Sequence, residues 1–153
     1  MTATAAAAAA AARTQTTGSI SFSGWQEEPV TDGGGEGGVP TLARATATCS
    51  FSGGIEAKDA RAAYTIAYRS ARVGRFTGLV AFSGHVDGRA GTFVTVEQGH
   101  FGEDGTLRGT FEVLPDSGTG ELAGLRGEGE YVLKLGEEAY GYTFAYTLAP
   151  ADG

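Results

Sequence analysis

Glycine recurs along this chain at short intervals, and its spacing is the tightest limit on what the chain can become. There are 26 glycines against four prolines. Each glycine inside a helix costs about 1 kcal/mol relative to alanine, so most windows long enough for a helix are broken. The same residue supplies the bends and bulges that a closed sheet needs. The segments between glycines are rich in Thr, Val, Phe and Tyr, which suit a pleated, half-buried surface.

Read in order, those segments predict eight strands. The clearest is "AYGYTFAYTL", which sets Tyr140, Tyr142, Phe144, Tyr146 and Leu148 on one face and Gly141, Thr143, Ala145 and Thr147 on the other. Helical spacing would scatter those rings around a cylinder, whereas a period of two lines them up. The same alternation groups Ile20 with Phe22, then Ala43, Ala45 and Ala47, then Tyr64, Ile66 and Tyr68. It continues with Phe76, Val80, Phe82 and Val86, with Phe93, Thr95, Glu97 and Phe101, with Leu107, Phe111 and Val113, and with Tyr131, Leu133 and Leu135. Short turns such as "VDGR" and "EDGT" favour hairpins. A row of hairpins removes its exposed edges by closing. The expected fold is therefore all-β, an eight-stranded antiparallel up-and-down β-barrel, with an open sandwich as the alternative.

The chain's 153 residues suit one domain, placed here at residues 17–150. Residues 1–16 read as a low-complexity Ala-rich tail, disordered or a frayed helix. No basic residue precedes the alanines, as a secretory signal would require. The segment 29–40, "PVTDGGGEGGVP", has the composition of a flexible loop, either plainly mobile or lying over one barrel mouth. A formal charge of −7 without a basic run argues for no nucleic acid and no anionic membrane as partner. A single cysteine, Cys49, forms no intrachain disulfide, so nothing implies an oxidising compartment and the expected location is cytoplasmic. Cys49 reads as a small buried strand residue; as a nucleophile it would need His85 or His100, both distant in sequence. Neither histidine has metal-ligand spacing, so neither a metal nor any other cofactor is expected.

One stretch invites a different reading. "PDSGTGELAGLRGEGEY", residues 115–131, has the glycines and hydroxyls of a phosphate cradle. A Walker loop needs a lysine after its last glycine, and no lysine lies between Lys58 and Lys134. The dinucleotide fingerprint needs Gly-x-Gly-x-x-Gly opening a helix; here the spacing of Gly118, Gly120 and Gly124 is one residue too long and a strand follows. The local alternative is a one-turn helix through "ELAGL", capped by Ser117 or Thr119, with Leu122 and Leu125 plugging one end of the barrel.

The segment "SGTGELAGLRGEGEY" resembles the signature of a family of small bacterial proteins of unknown function. "GWQEEP", "LARATATCSFSGGIEA", "AAYTIAYR", "FTGLVAFSG" and "GRAGTFV" resemble other segments of that family in the same order, covering about Thr17 to Tyr146. The resemblance implies an allene-oxide-cyclase-like barrel. Barrels of that type include plant enzymes that cyclise an allene oxide and bacterial ones that fold polyketide intermediates into rings, all without a cofactor. It also implies an acid on the fourth strand and a histidine on the fifth, but here those positions are Val80 and Glu97, so no catalytic pair carries over.

The expected function is a cofactor-independent isomerase or cyclase acting on a hydrophobic small molecule by holding it in one shape. A ligand carrier or sensor is the second reading. A filled barrel acting through its surface, as a homo-oligomer, is the third. The ligand-binding candidates are Trp25, Arg44, Tyr64, Tyr68, Phe76, Phe82, Phe93, Phe111, Tyr142 and Phe144, with small neighbours Gly78, Gly84, Thr95 and Gly109 leaving space between them. These rings equally suit a packed core. Glu97 and Glu28 are the catalytic candidates. An inward Glu97 would have a raised pKa and could exchange protons near neutrality; an outward one would be solvated. Glu28 shares the parity of Ile20 and Phe22, at the barrel mouth or facing water. Arg44 would either anchor an acidic ligand or pair with an exterior acid.

Overall fold

The computed structural model describes residues 13–31, 41–134 and 136–148. Eight strands close into a barrel in sequence order: β1 (Thr14–Pro29), β2 (Thr41–Gly53), β3 (Ile55–Ser70), β4 (Val73–Val86), β5 (Arg89–Phe101), β6 (Thr106–Val113), β7 (Arg126–Lys134) and β8 (Ala139–Thr147). Every neighbouring pair is antiparallel, including β1 with β8, so the sandwich alternative is set aside. The faces predicted from alternation point inward: Tyr64 and Ile66, Phe76, Val80 and Phe82, Phe93, Thr95 and Glu97, and Tyr140, Tyr142, Phe144 and Tyr146 are all buried.

Two strands are longer than their sequences suggest. β1 begins at Thr14, and Thr14–Ser21 pair with β8, so the boundary expected after residue 16 falls inside a paired strand. Residues 1–12 of the Ala-rich segment lie outside the described residues, as do residues 32–40 of the long loop and Leu135. β3 begins at Ile55, although "IEAKDA" has helix-forming composition. Pairing with β2 on one side and β4 on the other outweighs that local preference.

β1 carries a bulge that changes the face of everything after it. Ser23 pairs with Thr48 and Gln26 with Thr46, so Gly24 and Trp25 together oppose one residue. Gly24 sits at φ 64°, a left-handed conformation that suits glycine in such a bulge. The parity flips there. Glu27 now pairs with the buried Ala45, while Glu28 pairs with Arg44. Both Glu28 and Arg44 are exposed on the outer wall.

The stretch 115–131 is a plug and a turn. A single 3₁₀ turn, Gly120–Leu122, carries Leu122, which is fully buried together with Leu125. Neither Ser117 nor Thr119 caps that turn through its side chain. Thr119 is the N-cap residue but makes no side-chain cap bond. Instead its hydroxyl accepts from Thr92 N at 3.1 Å, and Ser117 Oγ accepts from Val94 N at 3.0 Å. The free backbone of β5 beyond the end of β6 competes for these hydroxyls and wins, so the segment continues along β5 and closes the barrel end.

The end nearer this plug is filled. Phe82 and Phe93 stack with centroids 4.5 Å apart, Phe51 meets Phe82 at 4.8 Å, and Phe111 stacks on Phe144 at 5.6 Å. The Tyr142 hydroxyl accepts from Ile55 N at 2.8 Å and lies 3.0 Å from Ser52 O, tying β8 to the β2–β3 turn. Thr95 is fully buried between the register partners Val80 and Val113, and its Oγ1 has no hydrogen-bond partner. Replacing it with the isosteric valine, Thr95→Val, is expected to stabilise the protein by about 1 kcal/mol, because an unmet buried hydroxyl is removed without changing shape. Denaturant unfolding of the two proteins measures this, and a loss of stability would show that the hydroxyl has a partner.

Candidate functional site

The opposite end is hollow. A cavity of about 550 Å³ opens between the β3–β4 and β5–β6 turns. Its wall is built from residues of six strands: Phe22 and Trp25 from β1, Tyr64, Ile66 and Tyr68 from β3, Phe76 from β4, Phe101 from β5, Leu107 from β6, and Tyr131 and Leu133 from β7. Arg72 and Glu103 line it from the turns. Trp25 remains 48% exposed, yet its indole stacks on Tyr64 at 6.0 Å and meets Phe22 edge-on at 6.2 Å, so it lies across the entrance. A wider hollow of about 980 Å³ touches mainly exposed residues such as Thr65, Thr77, Gln98 and Thr110 and offers no comparable apolar enclosure.

Behind the cavity lies a buried polar cluster. Glu97 is only 3% exposed. Tyr131 donates to its Oε1 at 2.8 Å and Tyr64 donates to the same oxygen at 3.3 Å. Both phenols belong to the cavity wall, so the carboxyl stands one layer deeper. Burial pushes the Glu97 pKa from its ordinary 4.5 up to about 7, against the opposing pull of the two phenol hydrogen bonds. Burial, then the Glu97 charge, raises both phenols as well, so they act as donors rather than as phenolates. The proton of the neutral carboxyl belongs on Oε2, since Oε1 already accepts two bonds.

Two glycines make this arrangement possible. A Cβ at Gly78 would lie 2.5 Å from Tyr64 Cδ1, and one at Gly109 would lie 2.5 Å from Tyr131 Cζ. Each phenol crosses toward Glu97 over a strand position that only hydrogen can occupy. Cys49 is buried nearby, and burial followed by the Glu97 charge pushes its thiol up to about 12, which removes it as a nucleophile near neutral pH. His85 and His100 are exposed and therefore on the other side of the wall.

A second carboxylate faces the entrance. Trp25 Nε1 donates to Glu27 Oε1 at 3.0 Å, and the Tyr68 hydroxyl donates to Glu27 Oε2 at 2.6 Å. Glu27 thus takes the place that parity assigned to Glu28. The sign in the sequence is Gly24, because a glycine inside a strand marks a candidate bulge.

Of the residues expected to bind a ligand, Trp25, Tyr64, Tyr68 and Phe76 line the cavity. Phe82, Phe93, Phe111, Tyr142 and Phe144 are inward but lie in the packed core away from it. Arg44 is on the outer wall and cannot anchor anything inside; Glu28, opposite it, cannot act there either. Phe22, Ile66, Phe101, Leu107, Tyr131 and Leu133 complete the wall without having been singled out as ligand contacts. Among the described residues, no cluster of His, Cys, Asp and Glu could hold a metal ion.

A family model described as a protein of unknown function, DUF3224, matches residues 16–146. The chain belongs to this family. A crystal structure of a DUF3224 protein of unknown function from Shewanella oneidensis MR-1 is similar to it, with a TM-score of 0.69 and 27% identity over 90% of this chain and 99% of that one. No curated protein matches. The DUF3224 match reaches from β1 to β8 and leaves out only Thr14 and Gln15 at one end of the barrel's strands and Thr147 at the other.

Proposed function

We propose that this DUF3224 barrel takes a small apolar molecule into its mouth cavity and acts on it as a cofactor-independent isomerase or cyclase. The observation that carries the reading is a titratable carboxyl, Glu97, buried in an otherwise aromatic barrel and joined to the cavity wall through Tyr64 and Tyr131. A rigid oily wall restricts a flexible substrate to few shapes, which favours one ring closure over others. Phenol donors backed by a carboxyl with a pKa of about 7 can stabilise charge and exchange a proton near neutrality. The allene-oxide-cyclase-like barrel that the family resemblance implies from sequence points the same way, by analogy alone.

One observation favours a carrier or sensor instead: Glu97 stands behind the phenols and not on the wall itself. The two readings share the binding step, which is tested first. N-phenyl-1-naphthylamine, a dye that brightens in apolar surroundings, should bind saturably at one site. Leu133→Trp, which fills the cavity, should weaken it about tenfold or more, whereas Phe82→Leu in the packed core should leave it unchanged. A dye that ignores the wild-type protein would end both readings. Catalysis is then assayed with polyene epoxides, comparing product ratios with and without protein; ratios that never change would leave the carrier.

A further inference from the structure

Two buried hydroxyls among the described residues lack a hydrogen-bond partner, Thr95 Oγ1 and Tyr140 Oη. They differ in surroundings. Thr95 sits between valines in the packed core, where a ligand has no access. Tyr140 is 5% exposed and stacks on Phe22 at 5.6 Å and leans on Tyr131 at 5.4 Å, and both of those rings line the mouth cavity. Burial, and after it the nearby Cys49 and Glu97, disfavours its ionisation, so its hydroxyl keeps its proton.

An unmet buried donor costs stability unless something completes it. The neighbouring phenols do not: neither oxygen is in hydrogen-bond reach of Tyr140 Oη, and their own protons go to Glu97 Oε1. We propose that the molecule taken by the mouth cavity carries a carbonyl group, and that the Tyr140 hydroxyl donates a hydrogen bond to its oxygen. This rests on the reading of the cavity as a ligand site. Phe22, half-buried on the strand segment that continues past β8, stacks on Tyr140 and lines the cavity, so the ligand has to displace that ring to meet the hydroxyl. A phenol donor at the edge of an apolar pocket selects an acceptor oxygen and binds it more tightly as negative charge grows there.

The test uses α-tetralone and tetralin, one bicyclic frame with and without a ring carbonyl, competing with N-phenyl-1-naphthylamine. In Tyr140→Phe the affinity ratio of tetralone to tetralin should fall about tenfold, with tetralin affinity unchanged. The midpoint of thermal unfolding in the absence of ligand should hold or rise, since a donor without a partner has been removed. An unchanged ratio with both compounds bound would overturn the carbonyl assignment and leave the proposed function standing. A lowered melting midpoint would also overturn it, by showing that the hydroxyl has a structural partner. Failure of the dye to bind the wild-type protein would instead defeat the ligand site itself.

Discussion

Replacing Glu97 with glutamine is expected to stabilise the protein by about 2–3 kcal/mol at pH 8 and to change little at pH 4.5. The sign follows from the raised pKa. The folded protein holds the Glu97 proton up to about pH 7, whereas the unfolded chain releases it near the ordinary 4.5. Between those values the folded state binds more protons, so stability falls as pH rises and the loss is complete above 7. Glutamine cannot ionise, and its carbonyl still accepts from Tyr64 and Tyr131, so the variant escapes the loss while keeping the hydrogen bonds. The difference between urea unfolding curves of the two proteins, taken from pH 4.5 to 8, isolates this one group. A flat difference would mean that Glu97 ionises in the folded protein as it does in the unfolded chain, and the acid–base part of the proposed function would go with it.

Phe93→Ala should cost about 3–5 kcal/mol of stability and leave dye binding at the mouth unaltered. Phe93 is 2% exposed and stacked face to face on Phe82 at 4.5 Å, in the filled end where Leu122 and Leu125 close the barrel. Removing the ring leaves a void that a closed ring of strands cannot collapse around, because each strand is held by neighbours on both sides. A loss below about 1 kcal/mol would show a loosely packed end, and the division into a solid half and a hollow half would then be wrong.

That division marks where reading the sequence succeeded and where it stopped. Alternation placed Tyr140, Tyr142, Phe144 and Tyr146 on one face, and all four are buried. It placed Glu97 beside Phe93 and Phe101, which put a carboxyl inside the barrel once that face was known to be the inner one. It failed at Glu28, because parity counting assumes an unbroken strand. The Gly24 bulge shifts the count by one and presents Glu27 instead. It failed in a different way for Phe82, Phe111 and Phe144. These face inward as expected, but inward does not distinguish a ring that lines a space from one that fills it.

The sequence alone therefore determined the run of strands and which residues share a face within each unbroken strand, and favoured closure over a sandwich, since a two-residue period and glycine punctuation are local properties of the chain. Only the tertiary structure decided which end stays open. Space at a given height depends on which residues of eight strands share that level, and on rings such as Tyr64 and Tyr131 leaning across glycines of neighbouring strands. Those are relations between distant residues, set by register and stagger around the barrel, and no single strand carries them.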